Sequence, residues 1–198
     1  MTPKTLLKSF DEWRKQEQAL VLASVYETAG STYSKIGARM LINANGDFQG
    51  MLSGGCLEGD LAERAREVIT SGIAQKVSYD LSLKNEDLWG LGIGCDGLMR
   101  IFLQPLLAEN DYAPFEAIAR AYEGDHPEVA AVVLDSDKDD IEPGATLVTV
   151  DDTVELFGLT DDGAKDLLIM AQSALVDNLS STSKIQIGTT KATILFAL

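Results

Sequence analysis

The segment Ser53-Gly54-Gly55-Cys56-Leu57-Glu58-Gly59-Asp60 follows the apolar run Gly50-Met51-Leu52 and precedes Leu61 to Ile69, where apolar residues recur at helical spacing. It reads as a strand, a glycine turn and then a helix. That order places a cysteine where a helix begins. The N–H groups of a first helical turn carry partial positive charge, so they favour an anion and lower the pKa of a thiol set against them. The segment therefore offers a candidate thiolate at Cys56. It also offers a candidate seat for a phosphate or metal oxyanion at Ser53, Gly54 and Gly55. Glu58 has two readings: a base close to Cys56, or the acidic residue that any helix favours in its first turn.

Around this turn the pattern predicts an α/β chain. Lys4 to Gln18 carries Leu6, Leu7, Phe10 and Trp13 at helical spacing. Ala19 to Tyr26 is a continuous apolar run and reads as a buried strand. Glu27 to Gly37 is a polar loop longer than a hairpin needs. Ala38 to Ile42 and Asp47 to Leu52 read as a hairpin about Asn43-Ala-Asn-Gly46, with Asn-Gly as a two-residue turn. The helix from near Glu58 should stop at Gly72. Strands are predicted over Gln75–Leu81 and over Leu98–Gln104, the second ended by Pro105, and a helix over Tyr112–Tyr122. Glu128–Leu134, Ala145–Val150 and Thr153–Phe157 read as strands, followed by a helix capped at Thr160 or Asp161 and running to about Asp177. Lys184–Ile187 and Ala192–Leu198 are the last strands. The class is a mixed sheet with β-hairpins and flanking helices, not a strict Rossmann fold.

The 198 residues are 45% hydrophobic, enough for one core or for two small subdomains. No apolar run is long enough to span a bilayer, and residues 1–10 lack the apolar core of a signal peptide. A cytoplasmic protein is expected. The formal net charge of -15 repels phosphodiester backbones and anionic lipid, so neither nucleic acid nor membrane is an expected partner. Asp135 to Glu142 and Asp151-Asp152 read as solvated acidic loops. With two cysteines and one histidine the chain has no zinc spacing, and His126 sits in a turn rather than in a catalytic pattern.

Two more loops could carry chemistry. Trp89-Gly-Leu-Gly-Ile-Gly-Cys-Asp-Gly97 places Gly92, Gly94 and Gly97 at G-x-G-x-x-G spacing around Cys95. The dinucleotide fingerprint requires a helix after it, whereas a strand follows here. The glycines then serve tight turns, or let backbone amides approach an anion. Gly30 to Arg39 supplies the hydroxyls of Ser31 and Thr32 and the cations Lys35 and Arg39. Arg39 could equally pair with a carboxylate, and the two hydroxyls could make local turn bonds.

Taken together, three motifs resemble the xanthine dehydrogenase accessory protein family, XdhC/CoxI. They are Gly30-Ser-Thr with Gly37-Ala-Arg-Met-Leu-Ile42, then Gly50-Met-Leu-Ser-Gly-Gly-Cys-Leu-Glu-Gly59, then Leu91-Gly-Ile-Gly-Cys95 with Gly97. The resemblance implies a domain over residues 1–198, with a motif-bearing core at about 10–107 and an α/β extension over 108–198. Family members usually carry a further C-terminal Rossmann-like domain, and the resemblance implies that residue 198 falls about where that domain would begin. The implied function is a chaperone for the molybdenum cofactor (molybdopterin). Such a protein would hold the cofactor during sulfuration and pass it to a molybdenum hydroxylase client, with no turnover of its own. The same reading admits a cysteine desulfurase and a second copy of the chain (a homodimer) as partners.

The implied binding residues are Ser31, Thr32, Arg39, Ser53, Gly54, Gly55, Cys56, Glu58, Gly92, Gly94, Cys95 and Gly97. Cys56 and Cys95 are the candidates for contact with molybdenum or for sulfur transfer, because thiolates suit a soft metal. Two positions depart from the family pattern. Tyr33-Ser-Lys-Ile stands where prolines are common, and Asp96 stands where a glycine usually follows the cysteine. Two rival readings remain: a cysteine-dependent redox or nucleotide-ligand enzyme, and an interaction module whose glycines only build turns.

Overall fold

The computed structural model describes residues 3–80, 97–124, 127–151 and 153–198. The chain forms two compact units, Met1–Pro105 and Leu106–Leu198. Each is built on a five-stranded sheet. The α/β class with hairpins and flanking helices is as the sequence predicts, with the strands divided between two sheets.

In the first unit the elements are α1 (Pro3–Arg14), β1 (Leu20–Gly30), β2 (Arg39–Asn43), β3 (Phe48–Gln49), α2 (Glu58–Ser71), β4 (Gln75–Asp80) and β5 (Gly97–Leu106). The sheet order is β3-β2-β1-β5-β4. Strands β1 and β2 pair antiparallel, from Leu20 opposite Asn43 to Ser24 opposite Arg39. Helix α2 lays Leu61, Ala62, Ala65 and Val68 against Val21, Ala23, Met40 and Ile42, the i, i+4, i+7 stripe of an amphipathic helix. It stops at Gly72, whose φ of 69° fits the left-handed C-cap that glycine adopts without strain.

Several local predictions need correction, among them the strand expected over Asp47–Leu52, which is confined to Phe48–Gln49. Helix α1 ends at Arg14 instead of Gln18, because Glu17 turns left-handed at φ 55° and the Gln18 amide donates back to the Trp13 carbonyl. The β2–β3 turn is longer than the two-residue Asn-Gly hairpin expected. The Gly46 amide donates to the Asn43 carbonyl, and the Asn43 amide to that of Asp47. The Asn43 side chain accepts from the Asn45 and Asp47 amides, and Gly46 supplies the positive φ of 90°. Pro105 lies inside β5 instead of ending it. Pairing with β4 stops at Leu103, so the proline leaves no β4 partner without a donor.

The second unit contains α3 (Phe115–Glu123), β6 (Ala130–Ser136), β7 (Thr146–Val150), β8 (Thr153–Phe157), α4 (Asp161–Asp177), β9 (Ser181–Ile187) and β10 (Thr190–Ala197). Its order is β8-β7-β6-β10-β9, antiparallel throughout. Helix α3 begins at Phe115 instead of Tyr112, since Asp111 and Tyr112 both adopt left-handed backbone. Thr160 caps α4, its hydroxyl accepting from the Gly163 amide. The acidic loop after β6 is stitched to β10 as well as solvated. Asp137 accepts from the Lys191 amide, and the Thr190 hydroxyl donates to Asp140. Among the described residues no helix is long and apolar enough to cross a membrane.

Candidate functional site

The turn before α2 is organised by one carboxylate. Glu58 is only 2% exposed, and both of its oxygens point back into the loop. Oε1 accepts from the Leu52 and Ser53 amides, each at 2.9 Å. Oε2 accepts from the Ser53 hydroxyl at 2.5 Å, the Gly55 amide at 3.0 Å and the Leu57 amide at 3.2 Å. The Ser53 hydroxyl oxygen in turn accepts from the Leu57 amide at 2.8 Å. Burial pushes the Glu58 carboxyl up, yet the bonds from the Ser53 hydroxyl and the surrounding amides outweigh it and hold the group below its ordinary range.

This arrangement changes the sequence reading of the loop. The amides of Ser53 and Gly55 do cradle an anion, but the anion is the chain's own. Glu58 is neither a free base beside Cys56 nor a simple helix-dipole partner; it ties the loop into a fixed shape. Gly54 and Gly55 permit that shape, with φ of 80° and 109°. The apex residues Gly54, Gly55 and Cys56 remain exposed, while Ser53, Leu57 and Glu58 are buried. The Cys56 thiol is free.

Two other predicted segments come to this loop. The connection between β1 and β2 lays the Tyr33 ring on Gly54: a β-carbon built there would stand 3.2 Å from the ring. The Ser34 hydroxyl donates to the Met51 carbonyl at 3.2 Å. The half-buried Thr32 donates its hydroxyl to the Ser34 carbonyl at 2.9 Å, the local turn bond weighed for it. Gly97, at the start of β5, is packed so closely that a β-carbon would stand 2.6 Å from the Ala29 carbonyl oxygen and 2.8 Å from that of Ser31. Its lack of a side chain thus serves close approach of two backbones. Ser31 and Lys35 are exposed, and Arg39 is half-buried at the head of β2.

The structure therefore gathers Thr32, Ser53, Gly54, Gly55, Cys56 and Glu58, with Gly97 against the Ala29–Ser31 backbone. Gly92, Gly94, Cys95 and Asp96 lie outside the described residues, as does His126. Among the described residues no group of three or more His, Cys, Asp and Glu side chains is placed to hold a metal ion. Tyr33 is the neighbour that sequence reasoning passed over as a departure from pattern. Its signal was an aromatic within an otherwise polar loop.

On the outer side of α2, Asp60 accepts from the Tyr79 hydroxyl at 2.5 Å and from Arg64 at 2.6 Å. Burial raises the Asp60 carboxyl, but these two donors pull it below its usual range. Burial, together with the adjoining carboxylate, pushes the Tyr79 phenol up. The cluster ties α2 to β4 behind the turn.

Residues 13–80 match the model of the XdhC and CoxI family. Over 94 residues the chain is 35% identical to a Bacillus subtilis protein named as a probable xanthine dehydrogenase component, covering 48% of this chain and 28% of that protein. Over 111 residues it is 28% identical to the molybdenum cofactor insertion chaperone PaoD of Escherichia coli, covering 53% of this chain and 34% of the relative. The crystal structure of a xanthine dehydrogenase from Bacillus halodurans superposes with a TM-score of 0.60 at 27% identity, over 86% of this chain and 48% of that one. The chain thus matches about a third or less of the length of these two curated relatives, and about half of the crystallised chain.

Proposed function

We propose, on the match of residues 13–80 to the XdhC and CoxI family, that the chain is an accessory protein for a xanthine dehydrogenase-type molybdenum hydroxylase. Its cargo is the molybdenum cofactor, which it holds while the metal acquires a sulfido ligand and then releases to the client. The relative that bears on the cargo is the cofactor insertion chaperone. The observation that carries the reading is the exposed Cys56 thiol at the apex of a loop fixed by the buried Glu58.

The residues suit such a cargo in distinct ways. The cofactor presents a soft metal with sulfur ligands, a flat pterin and an anionic phosphate. Cys56 offers a soft donor on a rigid support. Lys35 and Arg39 place positive charge on the neighbouring segment of a chain whose net charge is -15. Ser31 and Thr32 add hydroxyls there. Ser53 and Glu58 shape the loop from within, Gly54 and Gly55 allow its apex, and Gly97 lets the Ser31 segment approach. Gly92, Gly94 and Cys95 belong to the same proposed site by sequence motif.

The test is an anaerobic titration of the purified chain with molybdenum cofactor, read by ultrafiltration and metal analysis, beside Cys56→Ala and Cys95→Ala variants. Stoichiometric retention that weakens in Cys56→Ala supports the carrier function. No retention by the folded wild-type chain rejects it for this chain.

A further inference from the structure

The Glu58 carboxylate takes up the amides of Leu52, Ser53, Gly55 and Leu57, so the polar capacity of this loop is largely turned inward. What the loop region turns outward is different in kind. It is the Cys56 thiol and the ring of Tyr33, which is 60% exposed. The ring is seated rather than projecting freely. It lies on Gly54, with its Cδ2 and Cε2 atoms 3.2 and 3.4 Å from where a β-carbon would be, so glycine is what lets the aromatic sit down on the backbone. Its neighbours fix the segment on both sides, Thr32 through the Ser34 carbonyl and Ser34 through the Met51 carbonyl. A positioned aromatic with an open surface, its Gly54 seat two residues before Cys56 in sequence, fits a flat heteroaromatic ring. Stacking of this kind tolerates many ring chemistries and needs no hydrogen bond from the loop.

We propose that Tyr33 is the platform on which the pterin ring of the cargo stacks, with Cys56 meeting the sulfur- and metal-bearing end. The proposal rests on the cofactor-carrier reading. It assigns Tyr33 to binding and assigns Ser53 and Glu58 to holding the platform, not to gripping the phosphate.

The probe is an oxidised, fluorescent pterin, 2-amino-4-oxopteridine, titrated into the purified chain, with fluorescence quenching as the readout. Wild type should quench it saturably. Tyr33→Phe should stay within about threefold of wild type, and Tyr33→Leu, which keeps bulk but removes the ring, should weaken binding about tenfold. Circular dichroism and the rate of Cys56 alkylation, both unchanged in Tyr33→Leu, would show that its loop is intact. Absence of saturable quenching in wild type, equal affinity in Tyr33→Leu, or tighter binding of AMP than of the pterin would each overturn the proposal. Metal retention separates the two claims. If Tyr33→Leu keeps the cofactor as well as wild type while Cys56→Ala loses it, the platform fails and the carrier stands. If pterin binding depends on Tyr33 but no form retains the cofactor, the platform stands for a free pterin and the carrier reading fails.

Discussion

Ser53 and Glu58 form a two-way clasp. The Ser53 hydroxyl donates to one Glu58 oxygen at 2.5 Å and accepts from the Leu57 amide at 2.8 Å, so a single short side chain joins the carboxylate to the last residue before α2. The clasp ties the glycine turn to the start of α2 through the chain's own groups.

Glu58→Gln keeps the shape of the side chain but sets an NH2 group against amide donors that need an acceptor. A buried donor left without a partner costs about 1–3 kcal/mol. The Leu52, Ser53, Gly55 and Leu57 amides should exchange with deuterium faster in this variant, roughly tenfold for each 1.4 kcal/mol. Amides in β9 and β10 should not change. Unaltered exchange at the four loop amides would refute the clasp.

The same carboxylate should make the first unit sensitive to acid. In the unfolded chain Glu58 takes up its proton near the usual 4.5, and in the folded chain only at lower pH. The folded state therefore binds fewer protons over that interval. The stabilisation is complete above the unfolded value and is lost as pH falls through the folded one. Stability measured by urea unfolding should decline from about pH 5 downwards in wild type, and with a shallower slope in Glu58→Gln. A parallel decline in both would show that other groups govern the acid limit.

Two glycines should respond in opposite ways. Gly97→Ala drives a methyl into the Ala29 and Ser31 carbonyl oxygens, which are backbone and cannot swing aside. The overpacking should cost about 1–3 kcal/mol and several degrees of Tm. At Gly72 nothing stands within 4 Å and only the φ of 69° matters. Gly72→Asn should therefore stay within about 0.5 kcal/mol, because asparagine enters the left-handed region readily. Thermal unfolding of both variants checks the contrast.

Cys56 should react with a thiol-specific disulfide reagent in the native chain, without denaturant, since it is exposed at the loop apex. Cys56→Ala should remove one equivalent of fast-reacting thiol. Equal titres in the two proteins would mean that the apex is covered.

Much of this architecture could be read locally. Gly72 marks the end of α2 and Thr160-Asp161 the start of α4, and the glycine turn is recognisable from the helical run after it, although the strand expected to reach Leu52 stops at Gln49. What escaped depends on atoms distant in the chain or on a direction that a motif does not carry. A glutamate in a first helical turn looks the same whether it faces solvent or folds back on five donors, and only the packing around Leu52 and Ser53 selects the second. Pro105 reads as a strand end until the shorter partner β4 is known to stop opposite Leu103. Gly97 lies within a G-x-G-x-x-G spacing that admits a tight turn or an anion-binding loop, whereas the close approach of the Ala29 and Ser31 carbonyls explains its lack of a side chain. The division into two sheets follows from which strands find one another across long separations, such as Ala130 with Ala197, and periodicity is silent on that choice.

The seam between β6 and β10 has a consequence in time. Strands β6, β7 and β8 can zip together in order as consecutive antiparallel neighbours, but the other side of β6 must wait for β10, some sixty residues later. Until that closure β6 presents an open, strongly apolar edge to whatever is nearby. The stitches from Asp137 to Lys191 and from Asp140 to Thr190 lie at the mouth of this seam. They stand where the returning β9–β10 hairpin must be aligned, so closing the second unit's sheet is a non-local step that follows its local hairpins.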